Sequence, residues 1–389
     1  MTLVERLHQD GFLRLGSKTA GFRYKPAKRG KRPDADDLRR IRSLGLPPAW
    51  REVAIHRSPN AKLQAVGKDV ADRWQYRYHP LATQLREDKK LKRLLLFAEA
   101  LPKMRRRIRQ DLRTPGLNHD RVMAALARIL LICFLRPGSR VYARENGHFG
   151  LCTLKRRHVR VKGDIVHFDF IGKSAQRQVR DHRGKQTAKI VRELLKLPGK
   201  QLFQYRTDDG KTVEVRRSEL NRYIKEVMGG NFTAKDFRTW NGTLLCACAL
   251  ARAGCAKDAP PAVRKKLVRQ AIVETASHLG NTPTVCKSSY VTPSVLSHFD
   301  QGRVVAKYFD SVEQMSTCKA TMARACEQAL LKLLKDTRTA RKKDARPDMT
   351  KLGKMLMKDS GQALAQTRAG RAASPVPAED AVFGLKPEA

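Results

Sequence analysis

Six side chains in four short segments of the sequence could do chemistry on a phosphodiester. They are, in chain order, Arg136, Lys173, Lys235, Arg238, Asn281 and Tyr290. A phosphoryl-transfer site without a metal needs cations for the non-bridging oxygens, an acid for the leaving oxygen and a nucleophile. Arginine suits the first role because its planar fork binds two phosphate oxygens at once. Lysine can be the acid where neighbouring cations lower its pKa.

Each segment is a weak signal when taken alone. With 80 Lys and Arg in the chain, any single cation is more simply a solvated charge or a contact to a nucleic-acid backbone. Tyr290 by itself would be interpreted as a core tyrosine, and Cys286 lacks the oriented base that a thiol nucleophile needs. The turn 172–174 is similar to part of a phosphate-binding loop, but His167 stands where that loop requires a glycine.

The net charge indicates a polyanionic partner. The 389 residues include 80 Lys and Arg against 37 Asp and Glu, which gives a formal charge of +43. A field of this size attracts polyanions, and a pI near 10.5 favours nucleic acid. On composition alone, a ribosome-associated protein or a generally supercharged surface stays open. A hydrophobic content of 41%, arranged in periodic blocks, excludes a wholly disordered chain.

We find no targeting or membrane-spanning segment in the sequence. The first residues lack the ~7–15-residue apolar run of a signal peptide. The longest apolar block, 122–135, contains Arg128 and is shorter than the ~20 residues of a membrane span. A zinc site of Cys246, Cys248 and Cys255 would lack a fourth ligand at suitable spacing. We therefore expect a cytoplasmic protein with reduced thiols, no metal and no cofactor.

Hydrophobic patterning predicts an α+β fold whose N-terminal domain, residues 1–85, is rich in β-structure. Strands are predicted at 52–56, 61–66 and 73–79, since these runs combine apolar alternation with Pro, Asn and Gly in the turns between them. A short helix is predicted at 33–44. This domain would be a small sheet with one half-exposed strand.

The following residues, 86–310, are predicted to form a mainly α domain interrupted by a three-stranded sheet, with Lys173 in the second turn of that sheet. A C-terminal helix is expected over 311–336 and a flexible basic tail over 337–389. The sheet would comprise 158–162, 165–171 and 177–182. The predicted helices are 85–112, 118–135, 187–197, 217–228, 235–253, 261–279, 293–309 and 311–335.

In order and spacing, the four segments resemble the catalytic core of type IB DNA topoisomerases, the poxvirus-like bacterial branch in particular. The resemblance runs from about residue 21 to 309. Arg136 matches the first arginine of the family, Arg238 the second, and Tyr290 the nucleophilic tyrosine. The hairpin turn with Lys173 matches the family's lysine-bearing hairpin. The ordered set is far more specific than any one of its parts.

The chain departs from the family at one position. Poxviral and eukaryotic members place a histidine where this sequence has Asn281. An asparagine can donate a hydrogen bond to a non-bridging oxygen but carries no charge, so we keep Asn281 in that role. His278 is out of register and is expected to be structural. Lys235 is expected to assist Lys173.

The resemblance also implies how the chain meets duplex DNA. The two domains would form a clamp that closes around the duplex as a monomer, which would place the protein at the nucleoid. Contacts to bases and backbone would come from the aromatic run of the last N-terminal strand and from one residue of the catalytic domain. These DNA-binding residues are Gln75, Tyr76, Tyr78 and Tyr142.

The implied reaction is reversible nicking of one strand. Tyr290 would form a 3′-phosphotyrosyl bond, Lys173 would protonate the leaving 5′-oxygen, and supercoils would relax before the strand is resealed, without ATP or metal. A tyrosine recombinase, which shares this chemistry, is the alternative. Recombinases usually have His-x-x-Arg at the second arginine, where this chain has Lys235.

Overall fold

The computed structural model describes residues 1–254, 257–311, 314 and 320–343, and they divide into two compact units. The described part of the first unit is Met1–Glu87, and the second unit is Asp88–Lys343. The mixture of a sheet-containing N-terminal unit and a mainly helical second unit confirms the predicted α+β class.

The N-terminal unit is built on a five-stranded antiparallel sheet with strand order β2-β1-β3-β4-β5. Alternate residues of a strand face opposite sides of its sheet, and here each face packs under a helix. Val53 and Ile55 of β3 share a core with Ile41 of α2, whereas Ala54 shares one with Leu7 of α1. The elements are α1 (Leu3–Asp10), β1 (Phe12–Ser17), β2 (Gly21–Pro26), α2 (Ala35–Ser43), β3 (Arg51–Ile55), β4 (Leu63–Lys68) and β5 (Trp74–Tyr78).

The second unit is a helical domain around one large hydrophobic core, and its central element is the helix α8, which packs against α4, α9, α11 and α12. Its elements are α3 (Pro80–Asp111), α4 (His119–Cys133), α5 (Arg140–Asn146), β6 (Val159–Lys162), β7 (Ile165–Ile171), β8 (Arg177–Arg183), α6 (Lys185–Leu195), β9 (Gln204–Arg206), β10 (Thr212–Glu214), α7 (Arg217–Met228), α8 (Ala234–Ala253), α9 (Pro261–Leu279), α10 (Pro283–Ser289), α11 (Pro293–Asp300) and α12 (Ala320–Lys343). The long helix α3 contains the boundary between the units.

The predicted three-stranded sheet is confirmed as the antiparallel sheet β6-β7-β8. Three elements of the N-terminal unit, α1 and the hairpin β1–β2, were not predicted. In the strand β2, Phe22 and Tyr24 alternate with basic residues, but this face is only half-buried and carries two aromatic residues, so the alternation is too short to be a strong signal. The short helices α5 and α10 and the ribbon β9–β10 were missed for the same reason.

One predicted helix is wrong in length. The pattern predicts a helix over 293–309, but α11 ends at Asp300. Gly302 adopts a left-handed φ of 74°, and its N–H bonds to the Phe299 carbonyl while that of Arg303 bonds to the His298 carbonyl. This pair of bonds is the Schellman motif that terminates helices at a glycine. Apolar residues further along pack on the core without helical structure.

The C-terminal helix extends beyond its predicted end. The pattern predicts a helix to 336, whereas α12 runs to Lys343 and takes up the first residues assigned to the tail. Most of the predicted tail, 344–389, and part of the predicted start of the helix lie outside the described residues. Among the helices that the structure describes, none has the length and apolar character needed to cross a membrane.

Candidate active site

Arg238 is the buried centre of the site. It lies one turn into α8, is 3% exposed, and donates from Nη2 to the Leu279 carbonyl at 2.9 Å and from Nη1 to the Phe134 carbonyl. These carbonyls belong to the ends of α9 and α4, where helices carry unsatisfied oxygens and partial negative charge. Burial, and then the nearby Arg136, lower the pKa of Arg238 to about 10. The guanidinium therefore stays charged at neutral pH.

Arg136 follows α4, and hydrogen bonds to backbone carbonyls fix its position. The N–H of Leu151 donates to its carbonyl at 2.8 Å, and the N–H of Cys152 donates to the Pro137 carbonyl at 2.8 Å. The side chain uses one nitrogen, Nη2, for bonds to the Gly280 carbonyl at 3.1 Å and to Oδ1 of Asn281. The N–H groups of Nε and Nη1 have no acceptor among the described residues and could donate to an anion.

Asn281 is placed by the end of α9. Gly280 has a left-handed φ of 60° and donates to the Ser277 carbonyl, while the N–H of Asn281 donates to the Ala276 carbonyl at 2.9 Å. This Schellman motif turns Asn281 toward Arg136. The Nδ2 group of Asn281 is buried, and no acceptor for it lies within the described part of the chain. An uncharged donor without an acceptor among the described residues thus lies beside Arg136.

Tyr290 lies at the end of α10 and packs its backbone onto α8. A Cβ at Gly242 would lie 2.9 Å from the Tyr290 carbonyl oxygen and 3.0 Å from the Tyr290 Cβ, so this close approach requires glycine. The Thr243 hydroxyl oxygen lies 3.1 Å from the same carbonyl oxygen and 2.8 Å from the Thr239 carbonyl oxygen. Gly242 is four residues after Arg238, so it lies one turn along the same face of α8. One helix face therefore positions both residues.

The ring of Tyr290 lies against the guanidinium of Arg238, with Cζ 4.9 Å from the ring centroid. Burial alone would raise the pKa of Tyr290. The positive charge of Arg238, a hydrogen bond from it, and the charges of Arg136 and Lys235 outweigh that effect and hold the pKa below its usual value. A lower pKa increases the fraction of phenolate, the nucleophilic form, at a given pH.

The two candidate lysines, Lys235 and Lys173, are both exposed. Lys235 is in the first turn of α8, three residues before Arg238, and its positive charge helps to lower the pKa of Tyr290. Lys173 occupies the turn between β7 and β8, where Ser174 and Ala175 adopt left-handed φ values of 61° and 56°. The chain after this turn enters the strand β8, so the alternative of a phosphate-binding loop followed by a helix is wrong.

Sequence reasoning missed Arg180, a half-buried residue of β8 that donates to the His278 carbonyl at the end of α9. Burial lowers the pKa of Arg180, and the positive charge of Arg180 in turn helps to lower the pKa of Arg238. No motif singled it out among the many arginines of the chain. Cys286 is fully buried, and burial raises the pKa of its thiol to about 11, so it is no thiolate at neutral pH.

The DNA-binding residues predicted for the N-terminal unit lie on β5. Tyr76 is 46% exposed and stacks on Tyr78, with ring centroids 6.3 Å apart. Arg86 lies over the Tyr78 ring at 4.6 Å, and Gln75 donates to Asp69 at 2.8 Å. In the second unit, Tyr142 of α5 is 58% exposed. These exposed rings offer stacking surfaces.

Comparison with known proteins agrees with this geometry. A family model described as "Eukaryotic DNA topoisomerase I, catalytic core" matches residues 81–315, and one described as "Bacterial DNA topoisomerase IB, N-terminal domain" matches residues 21–69. The first match contains all six candidate catalytic residues.

Individual relatives with similar sequences are also DNA topoisomerases by name. The DNA topoisomerase 1B of Acanthamoeba polyphaga mimivirus is 37% identical over 262 residues, which cover 66% of this chain and 77% of the relative. The DNA topoisomerase 1B of Vaccinia virus (strain Copenhagen) is 25% identical over 240 residues, 60% of this chain and 72% of the relative. Because a topoisomerase family model matches more than half of the chain, the alternative of a tyrosine recombinase is not favoured. The chain belongs to the type IB DNA topoisomerase family.

Proposed function

We propose that this protein relaxes supercoiled duplex DNA by breaking and rejoining one strand, with Tyr290 as the nucleophile. The observation that carries the proposal is the cluster of Arg136, Arg238 and Asn281 around a tyrosine with a lowered pKa. The relatives named DNA topoisomerase support the same activity. Two guanidiniums, an amide donor and an activated phenol are the set that phosphoryl transfer requires.

In the cleavage step, Oη of Tyr290 gives its proton to water and attacks the scissile phosphorus, which forms the new P–O bond. The bond from phosphorus to the 5′-oxygen breaks, and Lys173 gives a proton to that oxygen, so a 3′-phosphotyrosine and a 5′-hydroxyl result. Lys235, one turn before Arg238, supports this proton transfer. Resealing is the reverse reaction, in which the 5′-hydroxyl attacks the phosphotyrosine.

The charge that develops on the non-bridging oxygens is met by Arg136, Arg238 and Asn281. Arg238 is fixed before substrate arrives by helix-end carbonyls, so it needs little reorganisation during the reaction. Asn281 offers its buried Nδ2 donor. The resemblance implies a histidine at this position in poxviral and eukaryotic members of the family, whereas the amide here supplies a hydrogen bond that does not depend on pH.

The energy of the broken phosphodiester is retained in the phosphotyrosine, so the cycle needs no ATP. Rotation of the free 5′ end about the intact strand releases supercoils of either sign. We propose that the chain acts as a monomer whose two units enclose the duplex, with Tyr76, Tyr78 and Gln75 on one unit and Tyr142 on the other. Its charge of +43 would supply the affinity for phosphates and retain it at the nucleoid.

Relaxation of a negatively or positively supercoiled plasmid tests this function. In EDTA and without ATP, the purified chain should convert either plasmid to a ladder of relaxed topoisomers. The plasmid should carry no recombination site, so that a recombinase would leave its topology and sequence unchanged. Absence of relaxation at enzyme concentrations that bind the plasmid fully would contradict the proposal.

The contact between α8 and Tyr290 gives a second prediction. Gly242→Ala should leave the chain folded, because alanine favours a helix, but should displace Tyr290 and slow cleavage about 100-fold. Single-turnover cleavage of a duplex oligonucleotide and the Tm are the measurements. The matched control is Gly30→Ala, whose Cβ would meet only the flexible end of Arg57 at 3.4 Å. Cleavage by Gly242→Ala at the rate of the control would show that this contact does not position the nucleophile.

A further inference from the structure

The side chain of Gln178 fills the space between the two loops that carry Lys173 and Asn281. Gln178 is the second residue of β8 and is only 7% exposed, although it lies just after the exposed turn that carries Lys173. A glutamine at a hairpin end is ordinarily solvated. Its burial here therefore reflects a specific packing position.

Gln178 contacts the first loop at Gly172. A Cβ at Gly172 would lie 3.0 Å from Cγ of Gln178 and 3.8 Å from its Cδ. Gly172 directly precedes Lys173, and its N–H donates to the Gln176 carbonyl at 2.8 Å to close the turn. The aliphatic part of Gln178 thus packs against the base of the lysine turn.

The other end of the same side chain contacts the second loop at Gly280. A Cβ at Gly280 would lie 2.7 Å from Oε1 of Gln178 and closer still to its Nε2, nearer than real Cβ atoms come to other atoms. Gly280 directly precedes Asn281, and its carbonyl accepts from Arg136. Each end of Gln178 therefore abuts the glycine before a candidate catalytic residue.

The strand itself is held in place independently of Gln178. Arg180 lies two residues further on the same face of β8 and donates to the His278 carbonyl, which anchors the strand to the end of α9. Loss of the Gln178 side chain would therefore leave β8 docked but would leave the exposed Lys173 turn without its support. Among the described residues, the side-chain amide donates one long hydrogen bond, to the Arg177 carbonyl at 3.4 Å, so we take the volume of the side chain to be the feature that matters.

We propose that Gln178 is a positioning residue that sets the Lys173 turn against the Asn281 loop, so that the acid and the phosphate-binding groups meet the same phosphate. This inference rests on the proposed role of Lys173 as general acid. It makes Gln178 part of leaving-group protonation rather than of phosphate binding or nucleophilic attack.

The test compares single-turnover cleavage of two duplexes that differ in one atom, the bridging 5′-oxygen or a sulfur in its place. A thiolate leaves readily without a proton, because thiols have a pKa of about 8.5, so a defect in protonation disappears with the sulfur substrate. Gln178→Ala should cleave the oxygen substrate roughly 10- to 100-fold more slowly than wild type and the sulfur substrate at the wild-type rate. Gln178→Met retains the length and volume and should stay within about threefold of wild type on both.

Lys173→Ala, measured in parallel, separates the two claims. If sulfur rescues Lys173→Ala but not Gln178→Ala, Gln178 has a general structural role and the inference is wrong while the acid assignment stands. If sulfur rescues neither, the assignment of Lys173 fails and takes the inference with it. Unchanged cleavage of the oxygen substrate by Gln178→Ala, or a Gln178→Met as slow as Gln178→Ala, would also overturn it.

Discussion

Tyr290→Phe is expected to abolish relaxation and covalent adduct formation while leaving DNA affinity unchanged. The substitution removes one oxygen atom and retains the ring that packs on the Arg238 guanidinium. The backbone contacts of Tyr290 with Gly242 and Thr243 do not involve the side-chain oxygen. Loss of a nucleophile costs on the order of 10⁴-fold or more. Relaxation of a plasmid, denaturing gels of the adduct and a DNA-binding titration are the measurements.

A control for this variant is another tyrosine outside the cluster. Tyr205 donates its hydroxyl to Glu219 at 2.9 Å and lies on β9, so Tyr205→Phe should relax DNA like the wild type. Relaxation by Tyr290→Phe above trace level would mean that another group attacks the phosphate. An equal loss of DNA affinity and relaxation would mean that Tyr290 acts in binding.

Lys173→Ala carries the second large effect. General-acid catalysis contributes about 10²–10⁴-fold, so cleavage of ordinary DNA should slow by that factor under single-turnover conditions. Its defect should largely vanish on the substrate with a bridging 5′-sulfur. Rescue is expected because the lysine lies on an exposed turn rather than in the arginine cluster, so its removal leaves Arg136 and Arg238 in place.

Arg238→Ala is the contrast. Its guanidinium is fixed by carbonyls at the ends of two helices and faces the non-bridging oxygens in our account, so sulfur in the bridging position should not restore activity. Rescue of Arg238→Ala and not of Lys173→Ala would exchange the roles of the two residues. If sulfur rescues neither variant, Lys235, whose positive charge lowers the pKa of Tyr290, is the next candidate for the acid.

The sequence predicts the parts of this molecule that depend on strong local patterns. The sheet β6-β7-β8 was predictable because its strands alternate and its turns contain Gly163 and Gly172. Helices α4, α7, α8 and α9 were predictable because each is a long run bounded by a capping residue or a terminal glycine. The order of Arg136, Arg238 and Tyr290 identified the family, which the comparisons confirm.

The sequence does not show how these residues are held together. Arg238 is stabilised by the carbonyls of Phe134 and Leu279. These residues are 104 and 41 positions away in the sequence and meet Arg238 only after α4, α8 and α9 pack. Every residue has a backbone carbonyl, so the residue types at these positions do not show that their carbonyls accept hydrogen bonds from Arg238. An isolated glycine inside an apolar helix, such as Gly242, is a signal of close packing, but it does not say which residue approaches.

Gln178 shows the same limit for a polar side chain. In the sequence it is one of several polar residues of a basic strand, and its alternation gives only the face it shares with Arg180. The contact with Gly280 depends on the left-handed end of α9, about a hundred residues later. The sequence therefore predicts which groups react, and the packing of helix ends and of one strand determines how far apart these candidates lie.

The most direct test of the central claim is to map the covalent bond between protein and DNA. A nicked or suicide duplex would be cleaved by the wild-type chain, the adduct digested with protease and nuclease, and the modified peptide sequenced by mass spectrometry. We predict a single modified residue, Tyr290, joined to a 3′-phosphate, with a free 5′-hydroxyl on the released strand. An adduct on any other residue, or one joined to a 5′-phosphate, would contradict the account.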